Sequence, residues 1–217
     1  VGGLLASDHL GRSVMLRSAR VVLATGGVGG LFAHTTNPLG AIGAGLTAAA
    51  LAGAQLADLE FVQFHPTALA VDLDPMPLVS EALRGEGARL VDETDAPIMA
   101  GYARGDLEPR DVVARAVHAV WERGGSVALD ARHIDSFERR FPQIAAACAA
   151  SEIDPAARPI PVRTAAHYHM GGIAVDAAGR ASIPGLWACG EVASTGLHGA
   201  NRLASNSLTE GAVCAVA

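Results

Sequence analysis

Two short apolar runs closed by glycine constrain this chain more than any other feature. Residues 20–25 read RVVLAT and stop at Gly26-Gly27; residues 186–189 read LWAC and stop at Gly190-Glu191. Each is apolar over a strand's length and ends in a residue suited to tight turns, the pattern of a buried strand entering a turn. Between them, from about residue 59 to 164, the texture changes to longer helical patterns with more charge. Strands of one nucleotide-binding layer interrupted in this way predict an inserted subdomain whose ends both return to that layer. Small-molecule sites favour such interdomain junctions. The expected division is 1–58, 59–164 and 165–217.

The local pattern fills in the elements. Residues 43–57 read as a helix with small residues for close packing, and 58–64 as a strand. Residues 80–90 read as a loop or short helix. Pro109-Arg110-Asp111 opens a helix to about Arg123, with Val113, Val117, Val120 and Trp121 on one face and Gly124-Gly125 as its stop. Residues 126–130 read as a strand, 137–151 as a helix interrupted at Pro142, and 160–165 as a strand. Residues 173–180 read as a hairpin, and 207–217 as a helix still running at the last residue. With no initiator Met and no signal peptide at Val1, the chain is expected to be an excerpt of a longer protein.

Composition removes several function classes. The 217 residues are 50% apolar and 18% charged, with net charge -6 and no basic run. Disorder and nucleic-acid binding therefore have no support. No apolar stretch reaches the ~18 residues of a membrane span. Cys148, Cys189 and Cys214 form neither a metal spacing nor a disulfide framework, so a reducing cytoplasm is the expected compartment.

Five strings carry chemistry: QFHPT (63–67), SEALRGEG (80–87), PRDVVARA (109–116), AHYHMGG (166–172) and ACGEVASTGLHGANRLASNSL (188–208). They supply His65, Ser80, Arg110, His167 and Arg202, all hydrogen-bond donors, two of them permanently cationic. That set suits a small dianion, because arginine binds carboxylate bidentately. Plainer readings stand beside this one. Arg110 pairs equally well with Asp111 or a surface acid, and Glu191 could cap the next segment. His167 and His169 form an H-x-H pair with no third clustered metal ligand. Gly26, Gly27, Gly29 and Gly30 do not have the G-x-G-x-x-G spacing and read as a strand-to-loop turn.

Taken in order, the strings resemble one family. TGLHGANRLASNSL (195–208) resembles the signature of the L-aspartate oxidases, a branch of the succinate dehydrogenase/fumarate reductase flavoprotein family. LEFVQFHPTAL (59–69), LRGEGA (83–88) and PRDVVARA match in the same order. The resemblance implies an α/β fold: a partial, Rossmann-like FAD-binding domain with an inserted α+β capping subdomain. It implies FAD-dependent oxidation of L-aspartate to iminoaspartate, an NAD-biosynthetic step, with electrons passed to oxygen or fumarate and quinolinate synthase as pathway partner. Substrate carboxylates would be held by His65, Ser80, His167 and Arg202. Proton transfer would fall to Arg110, aided by Glu81 and Arg84. Flavin contacts would come from Ala24, Thr25, Gly26, Glu191, Ser207 and Leu208. Two alternatives remain open: a succinate dehydrogenase or fumarate reductase flavoprotein subunit, and a non-catalytic dicarboxylate-binding remnant. The sequence departs from the family pattern at Ser80, where Thr is usual, and at His169, where Thr or Met is commoner. The family's N-terminal flavin fingerprint and C-terminal helical region are not in the sequence.

Overall fold

The computed structural model describes residues 1–214. It is a mixed α/β structure in two compact units. The first comprises Val1–Leu31, Gly40–Gln63 and the described residues from Tyr168 onward; the second comprises Phe32–Leu39 and Phe64–His167.

The first unit opens with a hairpin that the sequence reading leaves unassigned, β1 (Gly3–Ser7) and β2 (Ser13–Arg17), paired antiparallel. Its turn is closed by Asp8, whose Oδ1 accepts the N–H groups of Leu10 and Arg12. The two glycine-closed runs are β3 (Val21–Leu23) and β10 (Leu186–Ala188). They pair in parallel, with Val22 opposite Trp187, so both glycine turns leave from the same end of the pair. A second, three-stranded sheet centres on β9 (Gly172–Ala174), flanked by β11 (Ala193–Ser194) in parallel and β4 (Leu56–Ala57) antiparallel. Leu23, Ala49, Ile173, Leu186, Ala188 and Val192 form the core, with Ala49 supplied by α1 (Ala44–Leu51). The unit also holds α6 (Asn206–Cys214); the expected helix at 207–217 runs past the described residues at its last three positions.

The second unit carries a four-stranded sheet in the order β5 (Val62–Leu69), β8 (Ile160–His169), β7 (Val127–Asp130), β6 (Arg89–Asp92). Leu129 on β7 faces Leu90 on one side and Ile160 on the other. Helix α3 (Arg110–Glu122) lays Val113, Val117 and Val120 into the core that these residues share with Leu69, Leu83 and Val162. Burying each such side chain stabilises the unit by roughly 1.5–3 kcal/mol. The short α2 (Ala82–Gly85) precedes β6, and α4 (Phe137–Arg140) and α5 (Pro142–Ala150) follow β7. Pro142 sits at the first helical position, where its missing N–H costs nothing.

Three expectations need correction. The helix read over 43–57 ends at Leu51, because Gly53 turns into the left-handed region (φ 91°) and bonds back to Ala50 O; residues 56–57 then join a sheet. The strand read over 58–64 starts at Val62, since Asp58 also has positive φ and makes a turn. Residues 32–39, expected with the nucleotide-binding layer, belong to the second unit. Ala166 accounts for this: its N–H donates to His34 O, and its carbonyl accepts from Thr36 N and Asn37 Nδ2.

Candidate active site

In the second unit, β5, β8, α2 and α3 gather most of the predicted polar groups. His65 on β5 is fully buried. Its Nδ1 accepts the Thr67 N–H at 3.2 Å, which leaves the neutral ring's hydrogen on Nε2. Among the described residues that Nε2 has no hydrogen-bond partner. Burial pushes the His65 pKa well below the usual imidazole range, and the charges of His167, Arg110 and Arg84 push the same way. A buried donor without a partner requires an explanation, and an absent anionic ligand is one.

His167 on β8 lies beside it, with ring centroids 5.0 Å apart. The His167 Nδ1 is 2.8 Å from Thr36 Oγ1, so residues 32–39 supply a side chain that orients this ring. Thr36 is missing from the sequence reading, and a Thr-Thr-Asn run in a loop gives no signal for it.

Arg110 begins α3 directly after Pro109, and its Nε donates to Glu81 Oε2 at 2.7 Å. Arg84, one turn along α2, brings Nη2 to 3.7 Å from the same oxygen and donates from Nη1 to Asp106 O. Its buried side chain has a lowered pKa because of desolvation. Glu81 thus joins two arginines. Ser80 accepts the Ala82 N–H through Oγ, and its hydroxyl hydrogen remains able to donate. Arg110 thus pairs with an acid 29 residues back in the sequence, while Asp111 is bridged by Arg115 one turn along the helix.

The first unit holds the other predicted residues. Arg202 is buried, with its guanidinium carbon 4.4 Å from the centre of the Tyr168 ring and Nη1 donating to Leu203 O. Gln63 Nε2 donates to Arg202 O at 2.7 Å and to Asn201 Oδ1 at 2.9 Å. Gln63, Asn201 and Tyr168 lie inside the motif strings, yet the sequence reading assigns them no role. His169 places its Nε2 3.1 Å from Leu59 O.

Ala24, Thr25 and Gly26 follow β3, and Glu191 follows β10, at the carboxyl ends of parallel strands where nucleotides bind in open α/β sheets. Glu191 Oε1 accepts the His169 N–H at 2.8 Å, and burial raises the carboxyl pKa. The carboxylate occupies space that exists only because residue 27 is glycine: a Cβ there would stand 2.8 Å from Glu191 Cδ and 3.0 Å from Cγ. A carboxylate so held keeps lone pairs for ribose hydroxyls. Ser207 and Leu208 are on α6, with the Leu208 side chain exposed as an apolar surface against which a flavin ring could lie. These residues fit an FAD. Among the described residues no helix is long and apolar enough to cross a membrane.

Comparison with known proteins agrees with the resemblance read from the motifs. The family described as FAD binding domain matches residues 1–208. An L-aspartate oxidase from Mesorhizobium japonicum is 64% identical over 210 residues, which are 96% of this chain and 41% of that protein. One from Xylella fastidiosa is 56% identical over 215 residues, covering 98% of this chain and 42% of its own length. The chain therefore spans about two fifths of the curated relatives it matches. Among solved structures, an E. coli quinol fumarate reductase FrdA chain bearing a point mutation superposes with a TM-score of 0.90 at 38% identity, covering 98% of this chain and 40% of that one.

Proposed function

The chain belongs to the FAD-binding domain family, and on that premise we propose that it serves in the FAD-dependent oxidation of L-aspartate to iminoaspartate, with electrons passed to oxygen or fumarate. The observation that carries this reading is the buried His65, whose Nε2–H has no partner among the described residues, beside His167 in a unit that also sets Arg84 and Arg110 on one carboxylate, Glu81. The high identity to L-aspartate oxidases supports aspartate over succinate as substrate.

The proposal gives each residue a task. His65 and His167 donate to a substrate carboxylate, with His65 neutral. Ser80 adds a hydroxyl donor. Arg202 binds a carboxylate through the edge of its guanidinium, where the parallel N–H groups match the anion. Charge-assisted contacts to a substrate carboxylate fix its orientation, which replaces a bimolecular encounter by an oriented one. Ala24, Thr25, Gly26, Glu191, Ser207 and Leu208 hold the FAD, which supplies the hydride acceptor when bound. Arginine scarcely deprotonates, so Arg110 acts mainly as a fixed charge that stabilises developing charge on the substrate. Glu81, whose Oε2 accepts from Arg110 Nε, holds that guanidinium in place. Quinolinate synthase as downstream partner and a cytoplasmic setting follow from the proposed reaction.

The test is turnover of the flavin-loaded full chain with L-aspartate, followed by peroxide formation and by fumarate reduction. Oxidation of succinate in preference to L-aspartate would overturn the reading in favour of the succinate dehydrogenase branch. Flavin binding without turnover of either would leave a dicarboxylate-binding protein.

A further inference from the structure

Tyr168 lies outside every role assigned so far, although it sits at the centre of a buried cluster. Its ring faces the Arg202 guanidinium at 4.4 Å. His198 meets the same ring edge-on, with centroids 5.5 Å apart and planes at 87°. His198 Nε2 is 2.9 Å from Glu210 Oε2, and Glu210 Oε1 accepts the Thr195 hydroxyl at 2.5 Å. Tyr168, Arg202 and Glu210 are each less than a tenth exposed, and so is the His198 side chain. The chain of contacts runs from α6, through Glu210 and His198, to the aromatic face beneath Arg202.

We propose that Tyr168, braced by His198 and Glu210, is a positioning residue that sets the plane of the Arg202 guanidinium for a substrate carboxylate. The reasoning is geometric. A guanidinium has two separate binding surfaces: a flat face that stacks on aromatic rings and an edge of N–H donors that meets carboxylates. A hydrogen-bonding support would consume donors on that edge. Support through the face fixes the tilt of the guanidinium without drawing on its N–H donors, in addition to the bond from Nη1 to Leu203 O, and the cation–π attraction is strongest where water is excluded. Tyr168 offers that face, the His198 edge limits ring rotation, and the buried Glu210 fixes His198 from a helix. The backbone of Arg202 is held independently, by Gln63 through the Arg202 carbonyl. The side chain and its main chain thus have separate anchors. Burial and the carboxylates of Glu210 and Glu191 raise the Tyr168 pKa, so the ring remains a neutral phenol across the working range.

This inference rests on the proposed role of Arg202, and the experiment separates the two. In the flavin-loaded full chain, the affinities for succinate and for propionate are measured by perturbation of flavin absorbance, together with KM and kcat for L-aspartate, flavin content and Tm. Tyr168→Leu is expected to raise the succinate Kd and the aspartate KM about tenfold, with kcat within threefold and flavin content unchanged. Propionate, with one carboxylate, is expected to lose less than threefold, so the preference for the dianion falls. Tyr168→Phe keeps the aromatic face and should stay within threefold of the parent. Glu210→Gln, which keeps the shape and weakens the brace, should show a loss in the same direction, and it replaces Tyr168→Leu if that variant does not fold. Equal losses for succinate and propionate, or a Tyr168→Phe variant as weak as Tyr168→Leu, would overturn the inference. If Arg202→Leu leaves succinate affinity unchanged, the reading of Arg202 fails first. If Arg202→Leu weakens succinate binding and Tyr168→Leu does not, only the positioning role fails.

Discussion

Replacing Gly27 by alanine isolates the link between the glycine turn and the flavin site. Gly27 is buried, and its φ lies outside the left-handed region, so alanine adds no backbone strain there. The cost arises at the new Cβ, 2.8 Å from Glu191 Cδ and closer still to Oε1. Carbon atoms at their best separation lie about 3.5–4.0 Å apart, so the carboxylate has to retreat by roughly 0.7–1.2 Å. Its Oε1 accepts the His169 N–H at 2.8 Å, and a shift of that size takes the pair beyond hydrogen-bond range. A hydrogen bond to a charged group contributes about 1.5–3 kcal/mol. The same displacement removes Glu191 from its proposed ribose contact, which is also charge-assisted. With ~1.4 kcal/mol per tenfold, the FAD Kd of Gly27→Ala should rise between about tenfold and a hundredfold. The assay is titration of the apo full chain with FAD, read by quenching of flavin fluorescence. Gly40→Ala is the control, since a Cβ there meets nothing within 4 Å. The reasoning is refuted if Gly27→Ala binds FAD within twofold of the Gly40→Ala control.

Three further outcomes follow from particular contacts. The depressed pKa of His65 implies that unfolding lets it bind a proton; its contribution to stability is therefore present above the usual value of 6.5 and is lost as pH falls toward the folded value. A 15N titration of the His65 ring should accordingly show the neutral Nε2–H tautomer still dominant at pH 6, and an imidazolium at that pH would contradict the burial argument. Gly171→Ala should destabilise the first unit by roughly 1–3 kcal/mol or more, the scale of overpacking, because its Cβ would overlap the Asp58 carbonyl and come within 2.8 Å of Leu59 N, neither of which can rotate away; urea unfolding at an unchanged midpoint would refute this. For Arg110, a fixed-charge role predicts that Arg110→Lys loses less turnover than Arg110→Gln and that aspartate oxidation and fumarate reduction suffer alike. A selective loss of fumarate reduction in Arg110→Lys would instead make Arg110 the proton carrier.

Much of the fold follows from local rules that a sequence exposes. Helix α3 is legible because Pro109 opens it, valines recur at its period and two glycines close it. The break between α4 and α5 is legible because Pro142 cannot continue a helix whose N–H it lacks. The glycine-closed runs at 20–25 and 186–189 read as buried strands, and both contain strands, but Val22 is exposed and their parallel pairing is set by the tertiary structure. The candidate residues His65, Arg110 and Arg202 were also legible, since their motifs are contiguous strings. What the sequence could not determine depends on partners distant along the chain. Thr36 meets His167, and Gln63 meets Arg202, across more than a hundred residues. The His65 Nε2, without a partner among the described residues, the space that Gly27 leaves for Glu191 and the aromatic face beneath Arg202 are likewise properties of packing. Periodicity records only which face of an element is apolar. Which side chain fills the space opposite it is settled when distant segments meet, and only tertiary structure decides that.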